Sequence, residues 1–212
     1  MSTILVIGAT GQVGQKVCHT LLNRGHKVRA LVRDTQRASE LSHPNLEVYQ
    51  VNLEDDFSDA FHNVNTVVFA AGSGSSTGCD KTLLVDLWAA KRAIDYAEEE
   101  PSVEHFIQLS SFGADDPDEI NQSLKPYMVA KHITDEYLTI TSLPYTILRP
   151  GKLTNDLPTG GYTTQRPDTI EQMNISRADV ADAICYCIDN DDSKIKIVEL
   201  FRGETPIDQI LN

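Results

Sequence analysis

A short apolar run, Thr3–Ile7, passes without a break into Gly8-Ala9-Thr10-Gly11-Gln12-Val13-Gly14, and an amphipathic stretch, Gln12–Asn23, overlaps and follows that turn. Few features constrain a fold as tightly. A strand that turns on glycines directly into a helix leaves the helix N-terminus at the sheet edge, with its free N–H groups and the positive end of its dipole. Glycine at the turn removes the Cβ that would keep an anionic group off the backbone. Gly14 lets the helix lie close against the strand. Such a cradle suits a pyrophosphate. Glycines alone are a weak sign. Glycines between a first strand and a helix, followed by a second strand ending in a charged residue, point to a dinucleotide site.

The rest of the chain keeps the same rhythm. Apolar runs at 3–7, 27–32, 47–51, 66–70, 105–109, 145–148 and 195–201 read as strands. The stretches 12–23, 55–62, 81–99, 126–141 and 177–189 between them read as helices. Several strands are apolar throughout instead of alternating, as expected when helices cover both faces of a parallel sheet. The expected fold class is α/β, a Rossmann-type doubly wound parallel sheet of about seven strands with helices on both faces. Residues 1–212 form one NAD(P)-binding domain in this reading. Residues 151–176, rich in Gly, Pro, Thr and Asn, show no period and read as a substrate-side loop at the carboxyl edge of the sheet.

The second strand ends in Leu31-Val32-Arg33-Asp34. An acidic residue at this tip takes the ribose hydroxyl of NAD, and an arginine accommodates the 2′-phosphate of NADP. Both are present. Arg33 comes first and its fork suits a phosphate, so NADP is favoured over NAD, with Asp34 beginning the next loop.

The formal net charge of -13 argues against nucleic acid, which needs a basic footprint. Cys18, Cys79, Cys185 and Cys187 form no C-x-x-C pair, and the histidines are scattered, so no metal site is expected. The opening apolar run is too short for a signal-peptide core, and no run approaches the length that crosses a bilayer. A reduced, cytoplasmic setting follows, with no membrane partner. The expected partner is a small-molecule substrate, and the protein is expected to act as a monomer or homodimer.

The spacing Gly8-x-x-Gly11-x-x-Gly14 resembles the short-chain dehydrogenase/reductase superfamily, and more closely its atypical short members, akin to the epimerase/dehydratase type and to NmrA-like proteins. The resemblance extends along nearly the whole chain. Phe69-Ala70-Ala71-Gly72 is similar to the fourth-strand turn that lines the cofactor. Leu109-Ser110-Ser111 is similar to the fifth-strand end that presents a catalytic serine. Tyr127-Met128-Val129-Ala130-Lys131 matches Y-x-x-x-K, and Leu148-Arg149-Pro150-Gly151 resembles the segment flanking the nicotinamide. Ile175-Ser176-Arg177-Ala178-Asp179-Val180-Ala181 resembles a helix start of the group.

The resemblance implies catalytic roles for Ser111, Tyr127 and Lys131. Tyr127 exchanges a proton at the substrate oxygen, Lys131 holds the ribose and favours the phenolate, and Ser111 hydrogen-bonds the substrate carbonyl. It implies cofactor contacts from Gly8, Thr10, Gly11, Gln12, Val13, Gly14, Arg33, Asn52, Leu53, Ala71, Gly72, Lys131 and Pro150. Two positions depart from the pattern: Asn52-Leu53 stands where Asp-Leu is usual, and Asp86 where an active-site Asn is usual.

The implied function is an NADP-dependent oxidoreductase acting on a small carbonyl or hydroxyl compound. The alternatives are a sugar-nucleotide epimerase or dehydratase and a non-catalytic NADP(H)-sensing regulator. The chain ends soon after the seventh strand, leaving little room for an epimerase substrate domain. The intact Tyr127 and Lys131 pair counts against a pure sensor. Ser110 is expected to be structural or to bond the cofactor, Trp88 to pack in the core, residues 72–78 to form a flap over the cofactor, and Cys79 to be a bystander.

Overall fold

The apolar runs and amphipathic stretches wind around one sheet in the computed structural model, which describes residues 2–39, 41–74 and 77–212. Strand β1 (Thr3–Ile7) enters helix α1 (Gln12–Asn23), and β2 (Lys27–Val32), β3 (Leu46–Gln50) and β4 (Thr66–Phe69) follow. A helical arm then runs from α2 (Cys79–Lys81) through a π-helical stretch (Thr82–Ala89) into α3 (Ala90–Glu99). Next come β5 (His105–Leu109), α4 (Lys125–Thr139) and β6 (Tyr145–Pro150). Three short strands, β7 (Lys152–Thr154), β8 (Tyr162–Thr163) and β9 (Asn174–Ser176), precede α5 (Arg177–Asp189), β10 (Lys196–Arg202) and α6 (Ile207–Leu211). Among the described residues no helix is long and apolar enough to cross a membrane.

The main sheet has the order β3-β2-β1-β4-β5-β6-β10-β8. Its neighbours pair in parallel except β8, which runs antiparallel to β10. The chain leaves β1 toward β3 and then returns across it to β4, so the topological switch point lies between β1 and β4. The all-apolar strands are explained by two cores. Ile4 and Val6 pack with Val17, Leu21 and Ile184 on one face, and Leu5 and Ile7 with Phe57, Phe61 and Ile94 on the other.

The main sheet holds 8 strands, in keeping with the expected doubly wound parallel sheet of about seven, with β8 added at the far edge. Other sequence expectations are corrected. The expected helix at 55–62 is only a 3₁₀ turn, Ser58–Phe61. There Asp56 Oδ1 accepts the Ser58 N–H at 3.0 Å, a local bond that competes with helix propagation. Residues 151–176 are not one structureless loop. β7 and β9 pair in parallel (Leu153 opposite Ile175) and pin the two ends of the segment together. Asp179, within the motif Ile175–Ala181, clamps its middle by accepting the Gly160 N–H at 2.9 Å, and it also accepts from Ser176 Oγ, at the segment's end, at 2.8 Å. Trp88 is 52% exposed, not core. It lies in the π-helical stretch, where closure on i+5 shifts the helical phase away from the α period.

Candidate functional site

The carboxyl ends of β1, β2 and β4 open onto a cleft of about 730 Å³ at the switch point, where doubly wound sheets bind ligands. Of the expected cofactor residues, Gly8, Thr10, Gly11, Gln12, Arg33, Asn52, Leu53, Ala71 and Gly72 all line it. Four do not. Val13 and Gly14 lie in the first turn of α1, and Val13 is buried in the core behind the cleft. Pro150 is buried at the end of β6, and Lys131 is 2% exposed within α4. Of the expected flap, residues 72–74 and 77 line the cleft, and Ser75 and Ser76 lie outside the described residues.

Close packing explains the glycines. Gly8 has φ +90, a left-handed conformation, and a Cβ there would sit 2.6 Å from the Ala71 backbone nitrogen. A Cβ on Gly14 would meet the Gly8 carbonyl oxygen at 2.2 Å, so helix α1 can approach the turn only with glycine at this place. Gly11 is the N-cap of α1 and offers no side-chain acceptor, and the first turn carries no acidic residue. The positive end of the helix therefore faces the cleft unneutralised. A phosphate group fits this end of the cleft.

At the other end stand the residues after β2. Arg33 and Arg37 both line the cleft, are exposed, and make no ion pair among the described residues. Asp34 lies between them, and its carboxylate accepts the Gln36 N–H at 2.9 Å as the cap of the 3₁₀ turn Thr35–Ala38. Its acceptor is thus partly committed to the backbone. Sequence reading missed Arg37, as well as Lys81 and Glu54, which also line the cleft. A second arginine four residues after the first was the only available signal for Arg37. Asp86 is fully buried in the π-helical stretch, where its Oδ2 accepts the Ser73 N–H at 3.0 Å and holds the Gly72-Ser73 wall. Its Oδ1 has no hydrogen-bond partner among the described residues.

The candidate catalytic groups gather at the ends of β5 and α4, beyond the open cleft. Ser111 and Tyr127 are half-buried. The Ser111 hydroxyl donates weakly to the Phe112 carbonyl oxygen at 3.2 Å. Lys131 donates its Nζ to the Leu109 carbonyl oxygen at 3.0 Å and lies 5.7 Å from the Tyr127 ring centroid. Ser110 faces inward and donates to Asp135 Oδ2 at 2.7 Å. The cysteines take no part. Cys18, Cys185 and Cys187 are buried thiols pushed up to about 12 by desolvation, and Cys79 is exposed.

Comparison with known proteins agrees with this geometry. A family model described as NAD(P)H-binding matches residues 8–191. The chain is 38% identical over 212 residues to a Bacillus subtilis protein named as the uncharacterized sugar epimerase YhfK, covering 98% of each. A Bacillus halodurans structure described as an NAD-dependent epimerase/dehydratase is 40% identical, with a TM-score of 0.92 over 100% of this chain and 99% of that one. The oxidoreductase ylbE from Lactococcus lactis is 28% identical, with a TM-score of 0.85 over 99% of this chain and 94% of that one.

Proposed function

The chain belongs to the NAD(P)H-binding family, and from that membership we propose that it is an NADP-dependent oxidoreductase of the short-chain dehydrogenase/reductase type, acting on a small carbonyl or hydroxyl compound. One arrangement carries the reading: an uncapped helix end and two arginines that make no ion pair among the described residues face the same cleft. The helix end suits the pyrophosphate, and Arg33 with Arg37 suits a 2′-phosphate, the group that separates NADP from NAD. Asp34 has one carboxylate oxygen engaged as a turn cap, which leaves it less free to read ribose hydroxyls than the two arginines are to read a phosphate. Bound in the cleft, the nicotinamide supplies or takes the hydride.

The chain's own groups would do the rest. Ser111 donates a hydrogen bond to the substrate oxygen, and Tyr127 delivers or removes the proton there. Lys131, whose ammonium carries three donors, keeps one on Leu109 and has two left for the ribose and the Tyr127 side. Residues 151–176, pinned at both ends, shape the substrate side. A second reading, epimerisation with a retained cofactor, is favoured by the name of the Bacillus subtilis relative.

Calorimetry with NADP(H) and NAD(H), followed by NADPH oxidation over a panel of carbonyls, quinones and flavins, tests the proposal. NADPH should bind more tightly, and Arg33→Ala and Arg37→Ala should each narrow the gap. Equal affinities, or a preference that survives both substitutions, would remove NADP. Binding without net NADPH consumption would move the reading to an epimerase or a sensor.

A further inference from the structure

We infer that Asp135 is a positioning residue whose buried carboxylate ties the ends of β5 and β6 to helix α4, and so keeps Ser111 and Lys131 in place for the chemistry proposed above, on which this role rests. Asp135 lies one helical turn after Lys131 and two turns after Tyr127, on the same face of α4, and is 1% exposed. Its Oδ2 accepts two bonds, from Ser110 Oγ at 2.7 Å and from Arg149 Nε at 2.9 Å. Each donor sits next to a candidate site residue: Ser110 precedes Ser111, and Arg149 precedes Pro150. Lys131, on the same helix, closes the set by donating to Leu109. Three separate segments are thus joined behind the site by one side chain.

The arrangement is built for direction more than for stability. Both donors converge on Oδ2, and Oδ1 is left buried without a hydrogen-bond partner among the described residues. A network that served stability alone would gain by pairing both oxygens, because leaving a buried acceptor unpaired is costly. Burial pushes the Asp135 carboxyl above its usual range, and Ser110, Arg149 and Lys131 oppose that rise. With Asp135 gone, Ser110 would lose its acceptor, Arg149 its counter-charge, and Lys131 the carboxylate one turn beyond it. The β5 end would then be free to shift, and a misplacement of about 1 Å at reacting groups is worth roughly 10²-fold in rate.

Two variants separate positioning from plain stability. Asp135→Ala strands the Arg149 charge, so it should lower the thermal midpoint as well as turnover. The double variant Asp135→Leu/Arg149→Met replaces the ion pair by apolar packing and should recover most of the midpoint. Its kcat for NADPH oxidation with FMN as acceptor should stay down by roughly 10²-fold, with a smaller loss of NADPH affinity. In its crystal structure Lys131 Nζ should have left the Leu109 carbonyl oxygen. A double variant with wild-type kcat, or with Lys131 and Ser111 unmoved in the crystal, would overturn the inference. Should the wild-type protein bind NADPH but reduce no acceptor, the oxidoreductase reading fails by itself. The crystallographic comparison still decides whether Asp135 positions these residues.

Discussion

Lys81 and Glu54 meet across the mouth of the nucleotide cleft, with Nζ and Oε1 2.5 Å apart. Glu54 lies on the turn after β3 and Lys81 at the head of the helical arm, and both line the cleft. The pair bridges the two lips over the path of an anionic ligand. Their side chains are 40% and 29% exposed, so the bond itself contributes no more than about 1 kcal/mol. Its weight is electrostatic: a carboxylate at the mouth repels the dinucleotide, and it also neutralises the lysine that would attract it.

Glu54→Gln should therefore raise NADPH affinity severalfold at low ionic strength, and Lys81→Gln should lower it. Both effects should fade as salt is added, and the thermal midpoint should hardly move. Stopped-flow binding over a salt series measures this. Two variants that shift affinity in the same direction would show that the pair acts as a mechanical latch, and the charge argument would fall.

How much of this could be read from residues alone follows from the range of the interactions. β1, α1 and the Gly8 turn were legible because strand, turn and helix signals lie side by side and both faces of β1 are covered. β7, β8 and β9 were not, because strands of two or three residues exist only through partners far along the chain, as Leu153 does with Ile175. The cofactor side was legible where glycines report backbone geometry. Glu54 and Lys81 are 27 residues apart, and Asp135 meets Ser110 across 25, so neither pairing leaves a local pattern. The Y-x-x-x-K spacing placed Tyr127 and Lys131 on one face of α4 but gave no sign that Lys131 would be buried with a bond to Leu109.

A buried histidine makes stability depend on pH. His105, at the start of β5, is 2% exposed, and desolvation lowers its pKa from 6.5 to about 4, with Lys194 adding to the effect and Asp191 opposing it. Thr146 Oγ1 donates to the Ser193 carbonyl oxygen, so it accepts from His105 Nε2 at 2.8 Å, and that assigns the Nε2–H tautomer. Between pH 6.5 and 4 the unfolded chain binds a proton that the folded chain does not, so stability falls as the pH drops through this window. His105→Gln keeps a donor for Thr146 and removes the titration. Urea unfolding from pH 7 to 4 should show the wild type losing about 3 kcal/mol more than the variant. Parallel stability curves would show that His105 is not the group responsible.

The proton donor is the sharpest division between an enzyme and a sensor. Tyr127→Phe removes one hydroxyl and keeps the ring beside Lys131, so NADPH binding should be spared. Turnover should fall by roughly 10² to 10⁴, the usual worth of general acid–base catalysis. Lys131→Met keeps the buried stem but removes the ammonium, leaving the Leu109 carbonyl oxygen without its donor. That variant should weaken NADPH binding, lower turnover and lose stability together, since in the proposed reading the group that bonds the Leu109 carbonyl oxygen and lies beside Tyr127 also takes the ribose. The two variants must differ in cofactor affinity although both lose activity. Measuring them needs an acceptor first, found from the panel of carbonyls, quinones and flavins. A Tyr127→Phe protein with full activity toward that acceptor would take the tyrosine out of the chemistry. If no acceptor is reduced while NADPH changes the protein's oligomeric state or partner binding, the sensor reading takes its place.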